Sequence, residues 1–408
     1  MSRQLVVIGG GAAGIFCAVN AAAMNPGLRV TILEKSNKLL SKVKISGGGR
    51  CNVTHACFDI PEMSRKYPRG GNFVKKTFHR FFTTDTIKWF AERNVILKEE
   101  PDGRMFPVTD SSQTIIDCLM KEVNRLGINI LMRSQVVDIL KENEKFEISL
   151  SDSRALDADF VCVACGGYPK PEMFGWLKNT GHTFEDPVPS LFTFNVPGHS
   201  INKLMGISVD RARIRIADSK LEEEGPLLIT HWGFSGPAIL KLSAWGARQL
   251  ETKKWQFRIF INWTPDFNEQ SLREKINSFR STHPSLKIVN RNAFSLPQRL
   301  WEVFLQESMI DLNLRWADLP AKEQNRLTRN LVAGEFTVNG KTTFKEEFVT
   351  AGGVKLSEVD TNTMMSKKIP NLFFAGEILD VDGITGGFNF QHAWTSGFIA
   401  AKAIAAIQ

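Results

Sequence analysis

The stretch QLVVIGGGAAGIFCAVNAAAMN, residues 4–25, limits the fold more than any other part of the chain. Leu5 to Ile8 is a continuous apolar run, the pattern of a parallel strand buried on both faces. Gly9, Gly11 and Gly14 follow as G-x-G-x-x-G, and small apolar residues then suit a closely packed helix. In that order the glycines allow a tight turn, close approach of backbone to a pyrophosphate, and packing of helix on strand. The helix start offers unpaired N–H groups and partial positive charge to the phosphates. The next apolar run, LRVTILE, ends at Glu34, where a carboxylate can accept from both ribose hydroxyls of an adenosine. The same charge repels a 2′-phosphate. Strand, glycines, helix, strand and acid together predict a Rossmann-like dinucleotide domain; a glycine-rich turn in another α/β protein is the alternative.

NAD and FAD share this fingerprint, so the choice rests on two further segments. KISGGGRCNVT, residues 44–54, places three glycines soon after Glu34 and Lys35, where a simple NAD domain would turn directly into its next helix. Gly47 to Gly49 allow close approach to an extended ligand, and Ser46 and Asn52 can hydrogen-bond to it. Near the other end, Leu372 to Phe374 read as a core strand, followed by Gly376-Glu377, then Gly386-Gly387, then a small-residue helix from about His392. Such a helix start can stabilise the negative charge of a reduced flavin. Binding elements from both ends of the chain favour FAD.

The segments SGGGRCNVT, GRMFPV, THWGFSGPAIL and FAGEILDVDGITGGFNFQHAW resemble those of the bacterial NAD(P)/FAD-dependent oxidoreductases, the aminoacetone-oxidase-like flavoproteins of two-dinucleotide-binding-domain type. The resemblance implies a Rossmann-like FAD-binding domain with an inserted region. It places FAD contacts on Gly9, Gly11, Ala13, Gly14, Glu34, Lys35, Lys42, Ser46, Gly47, Asn52, Gly376, Glu377, Gly387, Asn389 and Gln391, with Val136 at the adenine. Two positions depart from the family pattern: Cys165 stands where Thr is usual, and His392 where an aromatic is usual.

The middle of the chain predicts an α/β fold interrupted by a β-rich, barrel-like insertion and a small helical subdomain. Residues 1–190 and 345–408 are assigned to the FAD-binding domain, 191–262 and 333–344 to the β-rich insertion, and 263–332 to the helices. FEDPVPSLFTFNV marks the first boundary, RARIRIA and QFRIFINW read as strands, and NEQSLREKINSFR and PQRLWEVFLQESMI as helices. The Asn339-Gly340 pair predicts a hairpin turn. KKTFHRFF, residues 75–82, reads as a helix face beside the core.

The six cysteines show no disulfide spacing, and Cys162-x-x-Cys165 lies in a buried-strand pattern without partner ligands, so no metal is assigned. No apolar run reaches transmembrane length and no signal peptide is read, which predicts a cytoplasmic protein. The formal charge of +8 permits an anionic partner. With Lys and Arg in no run of five or more, a small-molecule substrate is expected in preference to nucleic acid.

The function expected is an FAD-dependent oxidoreductase passing hydride through flavin N5, with NAD(P)H as transient electron donor. The resemblance also implies amine oxidation with oxygen, and reduction of carbon–carbon double bonds in steroid-like acids. An RNA-modifying flavoenzyme and a redox sensor are the rivals. His231, Arg104 and His392 are candidates to face a substrate, a structural role being the alternative for each; no catalytic acid or base is assigned. Asp380 and Asp382 are expected to be solvated or to bond beside the flavin, because DVDG lacks the remaining ligands of a calcium loop.

Overall fold

The computed structural model describes residues 2–342 and 349–407. Cα packing divides the chain into two units, Met1–Ser190 with Phe344–Gln408, and Leu191–Thr343. The expected return boundary at 344/345 lies outside the described residues.

The first unit is built on a five-stranded sheet in the order Leu372–Phe374, Phe160–Val163, Gln4–Ile8, Arg29–Glu34, Asn129–Met132. Every neighbouring pair is parallel. Leu5, Val6 and Val7 at its centre are wholly buried, as a strand covered on both faces must be. The helix Ala12–Met24 leaves the first strand through the glycine turn and packs against the C-terminal helix, Phe388–Ala406. That second helix begins at Phe388, earlier than the expected His392, because Gly387 takes a left-handed conformation (φ 92) and serves as its N-cap. Phe16, Trp89 and Trp394 join these elements in one aromatic cluster. The segment 75–82, expected to be a helix face beside the core, is helical only to Phe78: helix Gly71–Phe78 buries Phe73, Val74, Thr77 and Phe78, and Phe81 and Phe82 are buried beyond its end.

The second unit holds a seven-stranded sheet in which every neighbouring pair is antiparallel. Its order is Gly334–Asn339, Gln256–Asn262, Ser208–Ile216, Glu222–Ile229, Gly233–Ser235, Thr193–Asn195, Lys341–Thr342. The first and last strands are joined through Gly340 alone, so the sheet curls until its edges nearly meet, which gives the barrel-like form. The Asn339-Gly340 hairpin is therefore not made. Gly340, at φ 97, turns a corner: the strand before it pairs with Gln256–Asn262 and the strand after it with Thr193–Asn195. Helices Glu269–Thr282, Gln298–Glu307 and Ala321–Ala333 bury Leu272, Trp301 and Leu327 in the same apolar cluster as Ile214, Ile259 and Ile261. Sheet and helices thus share one core. Among the described residues no helix is long and apolar enough to cross a membrane.

Candidate functional site

The three fingerprint glycines stand in different surroundings. A Cβ on Gly9 would lie 2.4 Å from the Ala164 carbonyl oxygen, and one on Gly14 would lie 2.0 Å from the carbonyl oxygen of Gly9. Backbone packing alone excludes a side chain at both. At Gly11 a Cβ would meet nothing within 4 Å, and φ is an ordinary −90. Neither conformation nor packing of the protein calls for glycine there. In a dinucleotide fingerprint the second glycine is the one that leaves room for close approach of backbone to the ligand. The helix that starts here has no side-chain cap and no acid in its first turn, which leaves its N–H groups to an anion.

At the end of the second strand, the Glu34 carboxylate is aimed by two backbone N–H groups. Oε2 accepts from the Gly10 N–H at 2.9 Å and Oε1 from the Ser36 N–H at 2.8 Å. Each oxygen keeps a lone pair for a further donor. Glu34, Lys35 and Val136 line a cavity of about 150 Å³ together with Cys165, Tyr168 and Trp176. The indole of Trp176 donates to the Tyr168 hydroxyl at 3.1 Å, and the Lys35 ammonium lies 5.2 Å from the Tyr168 ring centre. Burial pushes the Cys165 thiol up to about 11, so it stays protonated at neutral pH. Tyr168 and Trp176 were missed in the sequence. Their one signal was position, since Tyr168 directly follows the glycine pair at the end of strand Phe160–Val163.

The triple glycine lies in a kinked segment, Ser41–Gly49, where Gly47, Gly48 and Gly49 all have positive φ. Ser46 Oγ donates to the Val43 carbonyl at 3.1 Å. Just beyond, Asn52 ties the two ends of the chain together. With its amide turned to satisfy both sides, its nitrogen donates to Thr54 O and its oxygen accepts from Gly387 N, each at 2.9 Å. The helix starting at Phe388 likewise has no side-chain cap and no acid in its first turn.

The remaining expected residues have partners inside the fold. Lys42 is paired with Glu377, whose other oxygen accepts from the Thr350 N–H at 3.0 Å. Gly376 packs on Ala13, where a Cβ would come within 2.7 Å of the Ala13 Cβ. Asn389 spans the loop before its helix, accepting from Gly383 N at 2.8 Å and donating to Gly383 O at 2.9 Å. Gln391 is wholly buried; its oxygen accepts from Thr54 and Thr86 hydroxyls at 2.6 and 3.0 Å, and its nitrogen donates to Thr395 at 3.1 Å.

Asp382 is neither solvated nor open to a ligand. It is fully buried, ion-paired with Arg69, and accepts from the Ser190 hydroxyl at 2.8 Å. Of the residues expected to face a substrate, His392 is 2% exposed and its Nε2 lies 3.2 Å from the Gly376 carbonyl. Burial lowers its pKa to about 4, so it is neutral at pH 7. Arg104 is held by Asp102 at 2.7 Å and Glu100 at 3.2 Å. His231 belongs to the second unit, where its ring stands 4.1 Å from that of Trp232.

The profile of the HI0933-like protein Rossmann domain matches residues 3–403. A ribosomal RNA dihydrouridine synthase of Escherichia coli is 31% identical, the alignment covering 97% of this chain and 96% of that protein. A 3-dehydro-bile acid delta(4,6)-reductase of Clostridium scindens is 28% identical, with 99% of both chains covered. Among solved structures, a 3-ketosteroid-delta4-(5alpha)-dehydrogenase from Rhodococcus jostii superimposes with a TM-score of 0.54 at 12% identity, covering 99% of this chain and 97% of that one. A flavocytochrome c3 fumarate reductase gives a TM-score of 0.52 at 16% identity, over 99% and 78%. At those identities the two structures establish the shared fold alone.

Proposed function

The chain belongs to the HI0933-like Rossmann family and is an FAD-dependent oxidoreductase; from that premise we propose that it saturates a carbon–carbon double bond conjugated to a carbonyl, with a uracil base in structured RNA as substrate. The observation that carries the reaction type is what two relatives of nearly full coverage have in common. One is named for making dihydrouridine, which is uridine with the ring double bond beside a carbonyl saturated. The other is named for reducing double bonds of a 3-oxo steroid acid. Both reductions add hydride to an electron-poor carbon in conjugation with the carbonyl and a proton to complete the saturated bond.

FAD fits the residues present. Gly9, Gly11, Ala13 and Gly14 would take its pyrophosphate against the uncapped helix start, and Glu34 its adenosine ribose. The cavity of Lys35 and Val136 would take the adenine. Ser46, Gly47, Asn52, Gly376, Glu377 and Gly387 would follow the rest of the molecule, with Lys42 acting through Glu377. Asn389 and Gln391 would support these segments from behind. When bound, FAD supplies a hydride acceptor and donor at N5, and NAD(P)H is the proposed source of the hydride. The chain's own part is to hold the helix starts at Gly11 and Gly387 toward negative charge and to keep His392 and Cys165 uncharged.

The scattered Lys and Arg point to a small-molecule substrate, but the division of net charge between the units supports RNA, because attraction to phosphates needs net charge and not a run. Leu191–Thr343 carries 21 Lys and Arg against 15 Asp and Glu, and the rest of the chain 30 against 28, so +6 of the formal +8 falls in the second unit. A unit with a formal charge of +6 supplies the sequence-independent attraction that RNA phosphates require. The test is nucleoside mass spectrometry of ribosomal RNA from the source cells with the gene deleted and restored. The proposal expects dihydrouridine to vanish at one site and return. Unchanged RNA, with reduction of a 3-oxo-4,6-diene steroid acid by the purified enzyme, would favour the small-molecule reading.

A further inference from the structure

The triple glycine poses a mechanical problem. Ser46 has ψ 147, and Gly47 and Gly48 then turn at φ 59 and 68, so the chain leaves its helix by a sharp kink. Glycine loses more freedom on ordering than any other residue, so a run of glycines keeps one conformation only if something else grips it.

The grip lies on one side. A Cβ on Gly47 would stand 2.7 Å from Phe106 Cε1, whereas at Gly48 and Gly49 it would meet nothing within 4 Å. Gly47 is packed, and the two glycines after it face open space. Phe106 is wholly buried in the strand Arg104–Pro107. Over its ring lies the Arg50 guanidinium, 4.0 Å from the ring centre. Arg50 Nη1 donates to Glu100 Oε1 at 2.5 Å, and Arg104 Nη2 donates to Glu100 Oε2 at 3.2 Å, so one carboxylate secures both arginines. Arg50 Nε also reaches back to the Gly47 carbonyl at 3.4 Å. Ring, guanidinium and carboxylate thus close around the start of the glycine run, and each is itself held by another partner.

We infer that Phe106, Arg50 and Glu100 form a clamp that keeps Ser46–Gly49 in its ligand-ready conformation. They are positioning residues for FAD, distinct from the residues that would touch it. The inference rests on FAD being the resident cofactor. A released loop populates the competent conformation for only a fraction of the time, and apparent affinity falls by that fraction. The loop's open face is left free for the ligand because the clamp acts entirely from the Gly47 side.

The experiment is titration of apoprotein with FAD, followed by flavin fluorescence, for the wild type, Arg50→Lys, Phe106→Leu and the double variant. Arg50→Lys keeps the charge and the Glu100 partner but loses the flat stacking surface. Arg50 is about one-third exposed, so its variant tests the clamp even if Phe106→Leu fails to fold. Each single variant is expected to weaken FAD about tenfold. The apoprotein of Arg50→Lys should unfold at the wild-type temperature, because the loss lies in loop order. The double variant should bind no worse than the weaker single one, since the two side chains act as a unit. Wild-type affinity in Arg50→Lys, or losses that multiply in the double variant, would overturn the clamp. Failure of wild-type apoprotein to bind FAD would overturn the cofactor reading and the clamp together, a result distinguishable from intact wild-type binding with unaffected variants.

Discussion

Gly397, midway along the C-terminal helix, meets the backbone of Ala13 so closely that a Cβ there would lie 2.7 Å from the Ala13 carbonyl oxygen. The last helix of the chain is thereby pressed onto the first, beside the turn that carries Gly11. Ala13 also touches Gly376, where a Cβ would approach to 2.7 Å, so three segments from both chain ends converge on one alanine.

The first prediction follows from that contact. Within a helix, Gly→Ala ordinarily stabilises by about 0.5–1 kcal/mol. Gly397→Ala should instead destabilise by about 1–3 kcal/mol, because the new methyl group meets backbone that cannot rotate away. Urea denaturation of the variant decides the sign.

Gly11 and Gly14 should separate cofactor binding from folding. Gly14→Ala forces a Cβ to within 2.0 Å of Gly9 O and should cost about 3 kcal/mol of stability. Gly11→Ala points a methyl group into open space and should leave apoprotein stability unchanged while weakening FAD at least about tenfold. Equal FAD affinity in Gly11→Ala and wild type would remove the reason given for glycine at that position.

This division shows what could be read in advance. The roles of Gly9, Gly11 and Gly14 depend on a strand, a turn and a helix contiguous in the chain, so their pattern alone pointed to a dinucleotide. The start of the C-terminal helix and the corner at Gly340 were misjudged because distant partners decide them. Gly387 is fixed by Asn52, and the strands flanking Gly340 are drawn to different neighbours. Phe106 gave no sign of packing on Gly47, nor Gln391 of engaging Thr54 and Thr86, for the same reason. Apolar alternation marks a strand but does not say which strand lies beside it.

His392 should make stability depend on pH on the acid side. Burial lowers its folded-state pKa from 6.5 to about 4, so the unfolded chain binds the proton more readily. Its contribution is therefore present above pH 6.5 and is lost as pH falls through 4, amounting to about 3 kcal/mol. His392→Phe, which cannot titrate, should lose less stability than the wild type across that window. Parallel denaturation curves at both ends of the window would contradict this.

If RNA is the substrate, binding should be sensitive to salt. Several phosphate contacts from the basic second unit would give a slope of log K against log salt on the order of −3 to −5. A flat response in a filter-binding series would argue against phosphate contacts and so against RNA as the substrate.

The central claim is tested most directly by mixing the photoreduced holoprotein with ribosomal RNA lacking dihydrouridine, without oxygen, and following the visible flavin band. The account predicts that the oxidised band returns in proportion to dihydrouridine formed in the RNA. A band that stays bleached with RNA, yet returns on addition of a 3-oxo-4,6-diene steroid acid, would contradict RNA as substrate. A band that returns with neither would contradict reduction of a conjugated double bond in either of the two substrates this account weighs.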